Sequence, residues 1–215
     1  SLDYLKEAIL LARKHNFILS VDECYCDIFR MNRPKPPGAL EAAASLGNGL
    51  DNLIIFNSLS KRSNASGMRA GFIAGDKNII ESYKLLVSNG ASPVPIPIQK
   101  VAASLYDDDE HHKKACIHYD QNFSIVEKYL KPFYNDFKLP DAGFFLWLKV
   151  KDDQQAAKIL WNKYSLRVMP GSFMGTNVYG LNPGKGFLRI SVVDDKDVIE
   201  ETMKRLRLFL QSEIS

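Results

Sequence analysis

Ser58-Leu59-Ser60-Lys61-Arg62-Ser63-Asn64-Ala65-Ser66-Gly67-Met68-Arg69-Ala70-Gly71 is a polar stretch set between two apolar runs, residues 53–57 (LIIFN) and 71–74 (GFIA). Short apolar runs bounded by polar residues predict buried strands, so the stretch is expected to be a loop that leaves one strand and enters the next. In α/β sheets, ligands sit beyond the C-terminal ends of strands. Serine hydroxyls and an arginine at such a place suit a phosphate, because arginine offers planar, multidentate donors. A lysine held there among cations and partly desolvated is biased toward the neutral amine that attacks a carbonyl. Any single lysine among the 28 basic residues reads as a solvated surface group. Ser58, Ser60, Lys61, Arg69 and Gly71 together, between two strands, read as a site.

Working outward, Leu2, Leu5, Ile9 and Ala12 recur at helical spacing and predict an amphipathic helix over 3–15. Residues 17–21 (FILSV) predict a short buried strand, and residues 32–38 (NRPKPPG) a Pro-rich loop. Downstream, 76–89 read as helix, 91–98 (ASPVPIPI) as a break carrying three prolines, and 99–106 and 109–133 as helices, the second one long. A turn at 140–143, strands at 144–150, 167–169 and 187–193, and helices at 153–163 and 196–211 complete the chain. Helices alternating with apolar strands predict an α/β architecture. Two domains are expected, 1–108 and 109–215, with the long helix bridging them.

Composition narrows the function classes. The net charge of +3 and the absence of a basic stripe with interleaved aromatics argue against a nucleic-acid partner. No apolar run approaches the ~20 residues that would span a bilayer, and Ser1 opens directly onto a polar helical pattern, so neither a membrane span nor a signal peptide is expected. Three cysteines, Cys24, Cys26 and Cys116, are too few and too uneven for a disulfide framework, and a reducing cytoplasm is the simplest compartment. Cys24 and Cys26 have no second Cys or His pair at zinc spacing, so no metal is expected.

Two further constellations stand out. Asp22-Glu23-Cys24-Tyr25 ends the strand at 17–21, and by itself it reads equally as a polar turn with Tyr25 packing. Arg189 interrupts the apolar strand Phe187-Leu-Arg-Ile-Ser-Val-Val193. A buried arginine requires a partner, and a structural ion pair inside the second domain would satisfy it. His112 and Cys116 lie four apart on the charged helix, where a solvated face is expected. Asp107 to Glu110 read as an N-terminal charge run favoured by the helix dipole, and the strand around Trp147 as core.

Taken together, these motifs resemble those of the class I/II pyridoxal-phosphate-dependent aminotransferases of fold-type I. S-x-S-K followed by G-x-R-x-G is similar to the family's lysine motif, and D-E-x-Y precedes it by 36 residues. The resemblance implies that Lys61 carries pyridoxal 5'-phosphate as a Schiff base and that Ser58 and Arg69 hold its phosphate. Ser60 occupies a motif position of less fixed role. Asp22 would pair with the pyridinium nitrogen, and Tyr25 with the phenolic oxygen. Arg189, in an F-x-R-[IL]-[SN] strand, would bind the substrate's α-carboxylate. Met169-Pro-Gly-Ser-Phe173 is similar to the family's P-G-x-x-F turn near the active-site mouth. Residues 1–108 would then be the second half of the cofactor-binding large domain with its mainly parallel sheet, and 109–215 the bridging helix and small C-terminal α/β domain. The longer string SLSKRSNASGMRAGFIAGD is most similar to the bacterial N-succinyldiaminopimelate aminotransferase branch.

That resemblance implies transfer of an amino group from an amino-acid donor, glutamate first, to a keto acid or aldehyde. The acceptor suggested is N-succinyl-2-amino-6-oxopimelate, in lysine and diaminopimelate biosynthesis, with a homodimer as the working form. Whole family members begin well upstream. The glycine-rich phosphate turn, the ring-stacking aromatic and an asparagine near the phenolic oxygen have no counterpart here, and no N-P-x-N-P-T-G segment occurs. The chain therefore reads as a C-terminal portion whose activity alone is doubtful. A pyridoxal-phosphate-dependent β-lyase and a non-catalytic fragment or regulatory binding module stay open as alternatives.

Overall fold

The computed structural model describes residues 1–47, 49–90 and 93–214. The chain divides into two units, Ser1–Cys116 and Ile117–Ser215.

The first unit opens with α1 (Leu2–His15), which Ser1 caps by accepting a hydrogen bond from the Tyr4 N–H. Asn16 ends it in the left-handed region, a conformation asparagine tolerates better than most residues. Its buried face is Ile9 and Ala12. That face meets α2 (Ala39–Leu46), whose Ala39, Ala42 and Ala43 are all buried. Small side chains let the two helices and the sheet come close around Leu53 and Ile55.

The sheet has the order β1-β2-β3: β1 (Leu19–Asp22) runs parallel to β2 (Leu53–Ser58), and β3 (Gly71–Gly75) runs antiparallel to β2. The pairing is thus mixed within the expected α/β class. β2 is central and its first half is fully buried. β1 is an edge strand that alternates half-buried and exposed residues, and Phe17 and Ile18 lie exposed ahead of it. The fully buried strand expected over 17–21 is therefore half-buried, because only one of its sides meets the core.

Residues 58–71 are more structured than a loop. One helical turn, α3 (Leu59–Arg62), follows β2 directly, and a 3-10 turn spans Ser66–Met68. α4 (Lys77–Gly90) and α5 (Ile96–Asp107) follow. Of the Pro-rich break expected over 91–98, residues 91 and 92 lie outside the described residues. Pro95 caps α5 and Pro97 sits in its first turn, where a missing N–H leaves no helical bond unmade. The boundary between the units falls within α6 (Glu110–Leu130).

The second unit is an antiparallel sheet of order β4-β6-β5, formed by β4 (Phe145–Lys149), β6 (Phe187–Ser191) and β5 (Met169–Pro170). α7 (Asp153–Tyr164) and α8 (Lys196–Ile214) complete it. One sheet face carries Leu146, Leu148, Leu188 and Ile190 into a core with Phe123, Leu160, Met203 and Phe209. Each such side chain contributes about 1.5–3 kcal/mol by leaving water. The opposite face carries Phe145, Trp147 and Arg189, and Trp147 is 47% exposed. The expectation that the strand around Trp147 is core holds for its alternate residues only, because successive side chains point to opposite faces. The short strand expected at 167–169 lies at Met169–Pro170, where a proline is tolerated on an edge. Among the described residues, no helix is long and apolar enough to cross a membrane.

Candidate active site

β1 and β2 are parallel with Asp22 in register with Phe56, so Asp22 and Ser58 leave the sheet at the same end. Ser58 keeps extended backbone while its Oγ accepts from the Ser60 N–H at 3.1 Å, which caps α3. The same hydroxyl lies 2.9 Å from Ser60 Oγ. A capped helical turn immediately after the strand swings Lys61 over the segment that follows β1. Its Nζ stands 5.6 Å from the centre of the Tyr25 ring.

Asp22 is held in the same turn. Its Oδ1 accepts from the Cys24 N–H at 3.0 Å. Hydrogen bonds from the Cys24 thiol and backbone hold the carboxyl below its ordinary range, against the opposing effect of burial. The Cys24 thiol is pushed up to about 11, first by burial and then by Asp22, while the positive charge of Lys61 pulls it the other way. Asp22, Tyr25 and Lys61 are therefore brought together, with an anion that stays ionised at neutral pH.

Arg69 ends the 3-10 turn in the left-handed region, at φ 51°. Its Nη1 donates to the Ser66 carbonyl at 3.0 Å. Ser58 and Arg69 line one cleft of about 730 Å³, walled by Phe72, Tyr83, Val94 and Tyr106. Lys61 is not among the residues lining it. Gly71 makes this approach possible: a Cβ there would stand 2.2 Å from the Asn57 carbonyl oxygen. Ser58 and Arg69 thus both border one space.

Several residues of the site region were not singled out by the sequence pattern. Asn57 donates to the Glu23 carbonyl and to Cys26 Sγ, and its Oδ1 accepts from the Tyr106 hydroxyl at 2.9 Å. Arg62, next to Lys61, is buried and paired with Asp27 and Asp109. Asp109, read as part of a charge run at a helix start, therefore has a specific partner. His112 and Cys116 are buried, and both bond the Asp27 carbonyl. The solvated face expected for them is overturned: this side of α6 packs on the segment after β1. Residue type alone carried no signal for this, and only the i, i+4 spacing of His112 and Cys116 hinted at a shared face.

Arg189 belongs to the second unit. It lies at the centre of β6, opposite Trp147 of β4 and Met169 of β5. Its guanidinium stacks over the Phe145 ring, 4.4 Å from the centroid. Among the described residues, no carboxylate pairs with it, so the structural ion pair is not observed. A half-buried guanidinium on an aromatic shelf, with donors unmatched by an internal anion, is suited to an external carboxylate.

A family model described as aminotransferase class I and II matches residues 1–206. The chain is 26% identical over 208 residues to an LL-diaminopimelate aminotransferase from Nitratidesulfovibrio vulgaris, covering 94% of this chain and 51% of that protein. It is 27% identical to the 4-dedimethylamino-4-oxo-anhydrotetracycline transaminase OxyQ of Streptomyces rimosus, over 96% of this chain and 55% of that one. Among solved structures, an aminotransferase from Neisseria meningitidis superposes with a TM-score of 0.90 at 38% identity, covering 97% of this chain and 53% of its own. Aminotransferase AspB from Helicobacter pylori does so with a TM-score of 0.86 at 31% identity, over 100% and 54%. The chain spans about half the length of the relatives it matches.

Proposed function

Because this chain belongs to the aminotransferase class I and II family, whose members use pyridoxal phosphate, we propose that it carries the lysine half of a transaminase active site. Its fold is part of the fold-type I aminotransferase fold. The observation that carries the reading is the placement of Lys61 Nζ 5.6 Å from the Tyr25 ring, in the turn where Cys24 holds the Asp22 carboxyl below its ordinary range.

The side chains present fit the cofactor by their chemistry. Ser58, Ser60 and Arg69 supply hydroxyl and guanidinium donors for a phosphate. Asp22 supplies an anion for the ring nitrogen, Tyr25 a hydroxyl for the phenolic oxygen, and Lys61 an amine for the aldehyde. When bound, pyridoxal phosphate supplies a carbonyl for an amine and a ring that accepts electrons. With the cofactor in place, Lys61 Nζ would be the group that takes the proton from the substrate's Cα as base and gives it back as acid. Asp22, whose carboxyl the hydrogen bonds from Cys24 hold below its ordinary range, would favour a proton on the ring nitrogen. Arg189, in the second unit, would offer two N–H donors to an α-carboxylate.

The donor is glutamate in this reading, and the acceptor a keto acid or aldehyde of the diaminopimelate route, with N-succinyl-2-amino-6-oxopimelate as first candidate. Several relatives named LL-diaminopimelate aminotransferase support the route, and the string from Ser58 to Asp76 supports the succinylated branch. The working form is a cytoplasmic homodimer.

The test uses the protein purified from its own gene. Incubation with pyridoxal phosphate, borohydride reduction and peptide mapping should place the cofactor on Lys61. Lys61→Ala should abolish the adduct and glutamate-dependent transamination. Cofactor capture unchanged in Lys61→Ala would sink the proposal.

A further inference from the structure

Among the described residues, Arg62 is the one lysine or arginine buried from solvent. It is also the residue after Lys61, in a helix of four residues. One isolated turn has little stability of its own, so side-chain anchors must place it. Ser58 caps its start, and Arg62 holds its end.

The Arg62 contacts reach three residues in two distant segments. Nη2 donates to Asp109 Oδ1 at 2.8 Å and to the Tyr106 carbonyl at 3.2 Å. Nη1 stands 3.5 Å from Asp27 Oδ1. The guanidinium lies over the Tyr106 ring, 5.8 Å from its centre. Asp27 is the partner that links Arg62 to the segment after β1, and Lys35 shares its carboxylate at 3.7 Å. Asp27 follows the Asp22–Tyr25 turn, which is stiffened by bonds from Cys26 N–H to the Glu23 carbonyl and from Ile28 N–H to the Tyr25 carbonyl. The Asp27 backbone carbonyl is itself held by His112 and Cys116.

We propose that Arg62 is a positioning residue that sets the Lys61 amine against the Asp22–Tyr25 turn. The inference rests on the reading of Lys61 as the reactive amine. An apolar side chain of similar length would fill the space, yet it would leave Asp27, whose side chain is 13% exposed, with only the exposed Lys35 as its cation and no link to α3. The turn and α3 would then be free to shift relative to each other. A displacement of about 1 Å at a reacting group lowers rates on the order of 100-fold.

The experiment compares Arg62→Met, Arg62→Lys, Asp109→Asn and a core control, Ile55→Val, in the protein purified from its own gene. Two readouts are taken. One is the rate at which pyridoxal and borohydride label Lys61 in cofactor-free protein, followed by peptide mass. The other is kcat and KM for transamination. Arg62→Met should slow labelling about tenfold or more and lower kcat about 10- to 100-fold, with KM changed by less than about threefold. Arg62→Lys should recover part of both rates. Asp109 is 65% exposed at its side chain, so Asp109→Asn keeps the test open if Arg62→Met does not fold, and it should show a smaller drop in the same direction. Ile55→Val should label at the wild-type rate. Wild-type labelling and kcat in folded Arg62→Met, or in both Arg62→Lys and Asp109→Asn, would overturn the proposal, as would equal slowing in Ile55→Val. If wild-type Lys61 takes no label at saturating pyridoxal, the reading of Lys61 itself fails, and that outcome is distinct from the others.

Discussion

Asp153→Ala would strip two backbone N–H groups of their acceptor at once. Asp153 opens α7 and is 3% exposed. Its Oδ2 accepts from the Ser172 N–H at 2.8 Å and its Oδ1 from the Gly186 N–H at 3.1 Å. One carboxylate therefore ties α7 both to the Met169–Phe173 segment and to the residue that leads into β6. A buried donor left without a partner costs about 1–3 kcal/mol, so two cost roughly 2–6 kcal/mol. Asp153 and Ser172 also line a polar cleft of about 800 Å³, from which water can replace part of the lost bonding. The expected loss is therefore about 2–4 kcal/mol. Urea unfolding at pH 7, read by fluorescence of Trp147 and Trp161 in the same unit, gives the difference from the midpoint shift at constant slope. A loss under about 1 kcal/mol would refute the assignment of this carboxylate as a clamp.

The same residue carries a pH signature. Burial pushes the Asp153 carboxyl up, but hydrogen bonds from Ser172 and Gly186 outweigh it and hold the group below its ordinary range. A carboxyl depressed in the folded state contributes stability that is fully present above the unfolded value, about 3.9, and is lost as pH falls through the lower folded value. The stability gap between wild type and Asp153→Asn should be flat from about pH 7 to 5 and should shrink below about pH 4. A gap that stays constant down to about pH 2 would contradict the hydrogen-bond assignment.

Other substitutions test the site directly. Gly71→Ala forces a Cβ to 2.2 Å from the Asn57 carbonyl oxygen, so thermal melts should show a loss of about 1–3 kcal/mol or more as β3 moves off β2. Ser58→Ala removes the α3 cap at a cost of about 1 kcal/mol. It should also weaken binding of pyridoxal phosphate more than binding of pyridoxal, measured by titration of the visible absorbance. Arg189→Lys replaces a two-pronged donor by a point charge. It should raise KM for the amino-acid donor about 10- to 100-fold, the equivalent of about 1.5–3 kcal/mol. The melting temperature should hardly move, because among the described residues no carboxylate pairs with Arg189; a large drop would return it to a structural role.

The grouping of the candidate site's residues was legible because they are local in sequence. Ser58, Lys61 and Arg69 fall within one short segment, and a hydroxyl, an amine and a guanidinium at a strand end limit what that segment can do. Asp22 and Tyr25 were legible for the same reason, as polar residues at the end of an apolar run. What failed were particular inferences about what a face meets. Trp147 and Leu148 are both apolar, yet only Leu148 is buried, because the pleat sends them to opposite sides. His112 and Cys116 sit on a helix whose composition is charged, yet their stripe packs against Asp27.

By itself, the sequence determined the α/β class, the positions of most helices, and the set of groups from which an amine, a phosphate cradle and an anion could be built. Hydrophobic period and motif spacing are properties of the chain alone, so they survive without a structure. Only the tertiary structure decided that residues 59–62 form a helical turn, that Arg62 is buried between Asp27 and Asp109, and that Lys61 stands over Tyr25. Those features depend on segments 35 to 47 residues apart in the chain meeting in space. A buried charge is tolerated only where such distant partners converge.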